Sequence, residues 1–303
     1  MPICEIDPWR MPYFARVPCP DNVLIPTEDS DAWLWNPRHR WVYDKLAVAL
    51  SQGLDAAPHG VKPGKFPVFS KPIYNLKGMG VGSQAIASQV EYDAAQTAGY
   101  FWSTLLQGEH VSSDVAVIDG HPVWWRHARG QASGDGTFDY WEVGAEPNAA
   151  VEQWCHPWCE QHLAGYTGML NLETIGGRII EVHLRFADQW PDLYGGDPWV
   201  EALVRLYQHG KWDYDDSNRR AGYSVVLFLP HGRRYQPPPQ TLQEEVRAME
   251  GVSSLQITFH PELDPSRHAM PPGGFRVAIV NCWNRDAGDT ARDKLKRAFT
   301  SLT

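Results

Sequence analysis

No run of apolar residues in this chain approaches the ~18 that a helical membrane span requires. The opening, Met1-Pro2-Ile3-Cys4-Glu5, has neither a basic n-region nor an apolar h-region, so no signal peptide is expected and a cytoplasmic location is. Basic residues are in deficit. There are 27 Lys and Arg against 36 Asp and Glu, a formal net charge of −9. That balance argues against a nucleic-acid or anionic-membrane partner, though not against a nucleotide gripped by local cations. Five cysteines make no even disulfide framework, and free thiols in a reducing compartment are expected. No Gly-x-Ser-x-Gly is present, which removes the nucleophile-elbow hydrolases. No internal repeat is present either.

What the chain does have is size and a patterned hairpin. Its 303 residues, 43% of them hydrophobic, suit two or three closely packed lobes. The segment from Asn171 to Arg185 reads as two alternating strands around Gly176-Gly177. A turn with an odd number of loop residues, centred on Gly177, sets Glu173 opposite Glu181 and Asn171 opposite His183. Only that register gives one polar face (Asn171, Glu173, Glu181, His183, Arg185) and one apolar face (Leu170, Leu172, Ile180, Val182, Leu184). Such a row of ligands with a cation beyond it suits a hard metal such as Mg²⁺, held by carboxylates together with substrate phosphates. Taken alone, the pattern fits a solvated edge hairpin equally well.

A second signal lies upstream. Phe66 to Pro72 is a short apolar strand ending Lys71-Pro72, and it runs into a loop carrying Gly78, Gly80 and Gly82. Glycines let backbone N–H groups approach an anion, and a lysine beside them can supply a point charge to phosphate. No Gly-Lys-Ser/Thr ends the loop, so it is not a Walker motif. Asp44-Lys45 opens a helical stretch that ends near Gly53. Further on, Gly108-Glu109 stands just before a strand.

The order of these segments resembles the ATP-grasp superfamily, in particular the branch containing biotin carboxylase and the purine-biosynthesis ligases. The order is Asp-Lys, Lys-Pro strand, Gly-rich loop, Gly-Glu before a strand, then a hairpin with Glu-x-His-x-Arg. The resemblance covers about residues 41–194, with a second match in Gly273 to Val280 and a helix from Asp289 to Phe299. It implies an α+β chain with the ATP-grasp fold: two α/β lobes holding ATP between antiparallel sheets, plus a small C-terminal α/β domain. It implies ATP and Mg²⁺ (or Mn²⁺) as cofactors, with Lys45 and Lys71 on the phosphates. The loop glycines 78, 80 and 82 would cradle them. Glu109 would lie near the ribose, and the segment holding Trp102 and Leu105 would line the adenine. Glu181, Glu173 or Asn171, and His183 would be the metal set, and Arg185 would face substrate. Arg126 and Arg129 are further anion-binding candidates, with ordinary surface charge the stronger reading.

The activity implied is ligation: a small-molecule carboxylate activated as an acyl phosphate and joined to an amine. A nucleotide-binding protein without ligase chemistry and a bicarbonate-activating enzyme are the alternatives. Self-association as a homodimer is left open. Two features depart from the family. His183 stands where relatives usually carry Asn, and an imidazole suits softer divalent metals better than Mg²⁺. Only some forty residues, rich in Pro and Trp, stand where relatives carry a Rossmann-like domain.

The segments implied are a shortened N-terminal region at 1–40 and a first ATP lobe at 41–100. A second lobe with the metal hairpin follows at 101–210, then the C-terminal domain at 211–303. Helices are expected over Val151–Leu163, Pro198–His209 and Leu242–Met249. Strands are expected over His121–Trp125, Ser224–Leu229 and Leu255–Phe259. Cys155 and Cys159, at i and i+4, lack a convincing second ligand pair for zinc and read as buried thiols. Pro157 then has to fall in the first turn of that helix or kink it.

Overall fold

The computed structural model describes residues 3–76, 80–264 and 271–302. Packing divides the chain into two compact units. One comprises Pro26–Trp125 and Asn148–Phe186. The other comprises Met1–Ile25, Arg126–Pro147 and Ala187–Thr303.

The first unit holds the hairpin. Strands Gly168–Ile175 and Arg178–His183 pair antiparallel, and Gly168–Ile175 pairs in turn with His110–Ile118. The expected partners are found: Glu173 faces Glu181 and Asn171 faces His183. The means differ from the expected odd-numbered turn. Gly176 and Gly177, at φ 56° and 78°, make a two-residue turn, and Ile175 pairs directly with Arg178. Positive φ at both central residues is the type I′ requirement, which glycine meets without a Cβ penalty. A bulge then restores the register, because Thr174 pairs with Ile179 while Glu173 pairs with Glu181. Ile180 is the extra residue. In consequence Ile179, not Ile180, joins Leu170, Leu172, Val182 and Leu184 in the core.

That core is closed by the helices Lys45–Ser51 and Ala149–His162, through Val48, Val151, Cys155, Trp158 and Cys159. Cys155 and Cys159 are fully buried there, as free thiols. Burial pushes the Cys155 thiol up to about 12, and the side chain packs as a small hydrophobe. Pro157 sits inside this helix rather than in its first turn. A second sheet in the same unit runs in the order Ala56–Pro58, Tyr100–Thr104, Val68–Pro72, Gln84–Ile86. Its small core is Val68, Ile86, Tyr92 and Trp102. The Gly-rich loop joins Val68–Pro72 to Gln84–Ile86, and these two strands pair antiparallel. Gly80 and Gly82 have φ of 61° and 79°, while Gly78 lies outside the described residues.

The Pro- and Trp-rich lead-in is more ordered than its composition suggests. It contains the helix Asp29–Trp35, too short to show a periodic pattern. The helix Gln89–Ala95 is a further element that the sequence reading does not anticipate. In the other unit the strands Thr137–Val143, Gly222–Leu229, Phe275–Cys282 and Val252–Ile257 follow one another across a sheet. The helices Asp197–His209, Gln240–Arg247 and Arg285–Ala298 belong to the same unit. The strand expected over His121–Trp125 extends to Gly134, and Asp135-Gly136 turns it into Thr137–Val143. Among the described residues no helix is long and apolar enough to cross a membrane.

The hairpin turn yields a test. A Cβ on Gly176 would lie 2.2 Å from the Gln107 carbonyl oxygen, whereas one on Gly177 would meet only the Ala150 oxygen at 3.7 Å. Gly177→Ala should cost the strain of a positive φ, about 1–2 kcal/mol. Gly176→Ala should cost more, because backbone must move as well. Urea unfolding midpoints check the order, and equal midpoints for the two variants would contradict it.

Candidate active site

The site is assembled entirely within the first unit. The strand Val68–Pro72 delivers Lys71, whose Nζ donates to the Ile180 carbonyl at 2.7 Å. That carbonyl belongs to the bulged residue of the hairpin, on the strand at the end of its sheet's order. Lys71 is buried, and its ammonium lies 5.7 Å from the Phe101 ring centroid. The helix Lys45–Ser51 delivers Lys45. Asp44 caps this helix, its carboxylate accepting from Ala47 N at 2.9 Å, so the expected Asp-Lys start is a capped N-terminus. Lys45 Nζ reaches Glu181 Oε1 at 2.6 Å.

The hairpin's polar face supplies the acids. Ligand atoms of Glu173, Glu181 and His183 lie within 4.8 Å of one another. Glu173 bonds His110 Nε2 at 3.1 Å. Burial alone would raise the Glu173 carboxyl. The His110 hydrogen bond, first of all, and the neighbouring cationic groups outweigh it and bring the group down to about 2. Asn171, opposite His183, is anchored to the neighbouring strand. Its amide nitrogen donates to Ser112 Oγ at 2.9 Å and Asp114 Oδ1 at 2.7 Å on the neighbouring strand.

The sequence reading missed the carboxylate that organises the far end of the cluster. Asp29, the first residue of the short lead-in helix, is 4% exposed. His183 Nδ1 lies 2.9 Å from its Oδ1 and 3.0 Å from its Oδ2. Arg185 reaches it through Nε at 3.0 Å and Nη2 at 3.0 Å. The Tyr43 hydroxyl donates to it at 3.1 Å and accepts from Leu184 N at 3.1 Å. Burial opposes ionisation of Asp29, but Arg185 and His183 hold the carboxyl well below the usual range. No motif surrounds Asp29, so only folding could reveal it.

Other expected residues are placed as follows. Trp102 turns its indole into the small core and donates to the Val61 carbonyl at 2.7 Å. Leu105 is half-buried just past the strand Tyr100–Thr104. Glu109 is exposed, and its carbonyl accepts from Gly176 N at 3.1 Å. Arg126, in the other unit, is buried and donates to the Arg220 carbonyl at 2.6 Å, with Asp216 3.6 Å away.

Two lysines, two carboxylates and an imidazole thus converge, with a buried carboxylate–guanidinium pair beside them. The donor set of Glu173, Glu181 and His183 fits a divalent cation. Glu181 already takes an ammonium at hydrogen-bond distance, and metal bonds of about 2.0–2.2 Å can bridge ligand atoms this close.

Comparison with solved structures agrees with this architecture. Neither protein-family models nor curated proteins yield a match. The L-amino acid ligase of Bacillus licheniformis is similar at 11% identity, covering 89% of this chain and 73% of that one, with a TM-score of 0.60. The phosphoribosylamine–glycine ligase of Thermotoga maritima is similar at 15% identity, covering 95% and 85%, with a TM-score of 0.62. The biotin carboxylase of Campylobacter jejuni, solved as a β-γ-ATP complex, is similar at 11% identity, covering 92% and 75%, with a TM-score of 0.58. All three are ATP-grasp enzymes, and this chain has the ATP-grasp fold.

Lys71 offers a measurable consequence. Burial first, then the neighbouring Lys45 charge, lowers its ammonium from 10.5 to about 8, against the pull of Glu181 and Glu173. The unfolded chain therefore holds more protons than the folded one between these values, and stability should rise as pH climbs from about 8 to about 10.5. The penalty is fully present below that window and gone above it. Denaturant unfolding across this range should show the rise in the wild type. The same series in Lys71→Met should lack that component; an unchanged slope would contradict the account.

Proposed function

We propose that this protein is an ATP- and divalent-metal-dependent ligase that activates a small-molecule carboxylate and joins it to an amine. The observation that carries the reading is the convergence of Lys45 and Lys71 on the acidic end of one hairpin, within an ATP-grasp fold. An ammonium pressed against Glu181 and a second, desolvated one beside it form a cationic pair that a polyphosphate would relieve. In this reading the two lysines bind the phosphates. The carbonyl of Ile180 and the carboxylate of Glu181 hold them in place beforehand. Gly80 and Gly82 would bring backbone N–H groups to the same anion. Trp102 and Leu105 line the base through their backbone, and Glu109 serves the ribose.

Glu173, Glu181 and His183 would hold a divalent cation, Mg²⁺ or Mn²⁺, and Asn171 braces the strand beside them. The bound ion supplies charge neutralisation at the phosphates. For Glu181 to serve it, Lys45 has to release that carboxylate, and an incoming phosphate gives the ammonium its replacement partner. A substrate carboxylate oxygen would take the γ-phosphoryl group of ATP as the β–γ P–O bond breaks, yielding an acyl phosphate and ADP. An amine nitrogen would then attack the acyl carbon, with phosphate leaving and an amide formed. Chemistry of this kind needs positioning and charge stabilisation more than covalent help from the protein. Arg185 is the candidate for the substrate carboxylate. A guanidinium meets a carboxylate through its planar fork of donors.

The same proposal keeps 41–100 and 101–210 as the two ATP-holding segments, with 1–40 and 211–303 flanking them. It also keeps a cytoplasmic location. A homodimer is compatible with it. Two neighbours carry L-amino acid and glycine in their names, so amino acids are the first substrate pool to test.

The test is purified protein with ATP, Mg²⁺ or Mn²⁺, and pools of carboxylates and amines, with labelled bicarbonate as a separate arm. ADP release that depends on both pools is expected. Glu181→Gln should lower that turnover by about 10²-fold or more while a fluorescent nucleotide still binds. No binding of ATP at millimolar concentration with either metal would sink the ligase reading. Binding without turnover in any pool would favour a nucleotide-binding module instead.

A further inference from the structure

We propose that Asp29 makes His183 a third protein ligand for the divalent ion, and so selects Mn²⁺ or a later metal over Mg²⁺. The inference rests on the metal part of the reading above. It adds a positioning residue and a metal preference to it.

An ionised carboxylate only accepts, and Asp29 Oδ1 at 2.9 Å lies nearer to the His183 Nδ1 than the Arg185 Nη2 donor at 3.3 Å, so Nδ1 carries a proton toward Asp29. In the neutral ring, the form that binds a metal, Nε2 is then bare. Nε2 points toward Glu181, 3.8 Å from its Oε1. That distance is too long for a hydrogen bond but within the span of two metal–ligand bonds of ~2.0–2.2 Å. A metal-bound histidine characteristically gives its other ring N–H to a carboxylate, which fixes the tautomer and the plane of the ring. The geometry here is of that kind, already formed.

Asp29 is itself held firmly. It is the first residue of its helix, it is 4% exposed, and Arg185 and Tyr43 engage it alongside His183. Neither end of the imidazole can turn without breaking buried contacts, since His183 is only 2% exposed. Two carboxylates and one nitrogen form a mixed donor set. Imidazole nitrogen favours divalent ions later in the Irving–Williams order, whereas Mg²⁺ prefers oxygen.

The experiment is Mn²⁺ binding to the full chain with inorganic phosphate present, which gives Lys45 the partner that frees Glu181, followed by the loss of the free-ion EPR signal. Electron spin-echo modulation reports any nitrogen bound to the ion. Wild type should show nitrogen modulation and a lower Kd for Mn²⁺ than for Mg²⁺. Asp29→Asn lets an amide N–H donate to Nδ1 and so moves the ring proton to Nε2. It should lose the nitrogen modulation and weaken Mn²⁺ by about 10–100-fold. His183→Asn should lose the modulation too and shift the Mn²⁺/Mg²⁺ ratio toward Mg²⁺.

Absence of nitrogen modulation in the wild type overturns the proposal. So does its persistence, at unchanged affinity, in Asp29→Asn. Should Asp29→Asn fail to fold, ¹⁵N shifts of His183 in the metal-free wild type decide instead. A proton on Nδ1 supports the proposal and a proton on Nε2 overturns it. ATP binding is scored separately. Its absence together with intact nitrogen modulation sinks the ligase reading and leaves this inference standing.

Discussion

One inserted residue governs the site. Ile180 bulges from the second hairpin strand, between a two-glycine turn and the polar pairs beyond it. Without the bulge the strand's alternation would run out of phase with its partner, and Glu181 would face Leu172 rather than Glu173. With it, Ile179 and Val182 both reach the core, while Glu181 and His183 share the polar face with Glu173 and Asn171. The bulged residue also turns its carbonyl to Lys71. A single local irregularity therefore sets the acids, places the buried lysine and keeps the core continuous.

The rest of the site follows from the cost of burying charge. Lys45, Lys71 and Asp29 are all nearly inaccessible to solvent. Ions removed from water persist only where partners are close and well aimed. Each of these has them: Lys45 on Glu181, Lys71 on a backbone carbonyl, Asp29 among Arg185, His183 and Tyr43. The arrangement is balanced rather than relaxed. Two ammonium groups are close enough for one to depress the other, and two carboxylates face each other across the hairpin. Clusters held this near to mutual repulsion respond to an added phosphate or an added cation, which is how an ion-paired interior becomes a binding site.

Much of this was legible beforehand, for identifiable reasons. Period-2 alternation made the hairpin and its facing pairs readable, because a strand's two faces must differ when only one is buried. The Asp44-Lys45 start, the Lys71-Pro72 strand end and the glycines after it were readable as local signals. The helices through Val151 and Leu203 announced themselves by length and apolar content. The turn's size was not readable, because an odd-numbered loop and an even loop followed by a bulge give the same facing pairs. Asp29 was invisible for another reason. A seven-residue helix in a Pro- and Trp-rich stretch has no periodicity to detect, and its carboxylate meets a histidine 154 positions away.

The sequence by itself determined the hairpin's facing residues, the capped start of the Lys45 helix and the order of motifs that the ATP-grasp fold arranges in space. Each depends on spacings of a few residues, where backbone geometry leaves little choice. Tertiary structure alone decided which charges became partners. It turned Trp102 into a core, tied Asn171 to the neighbouring strand, set Lys45 on Glu181 and placed Asp29 behind His183. Those outcomes depend on contacts across long stretches of chain. Such contacts are fixed by packing and by the need to satisfy buried polar groups, neither of which is written in any local pattern.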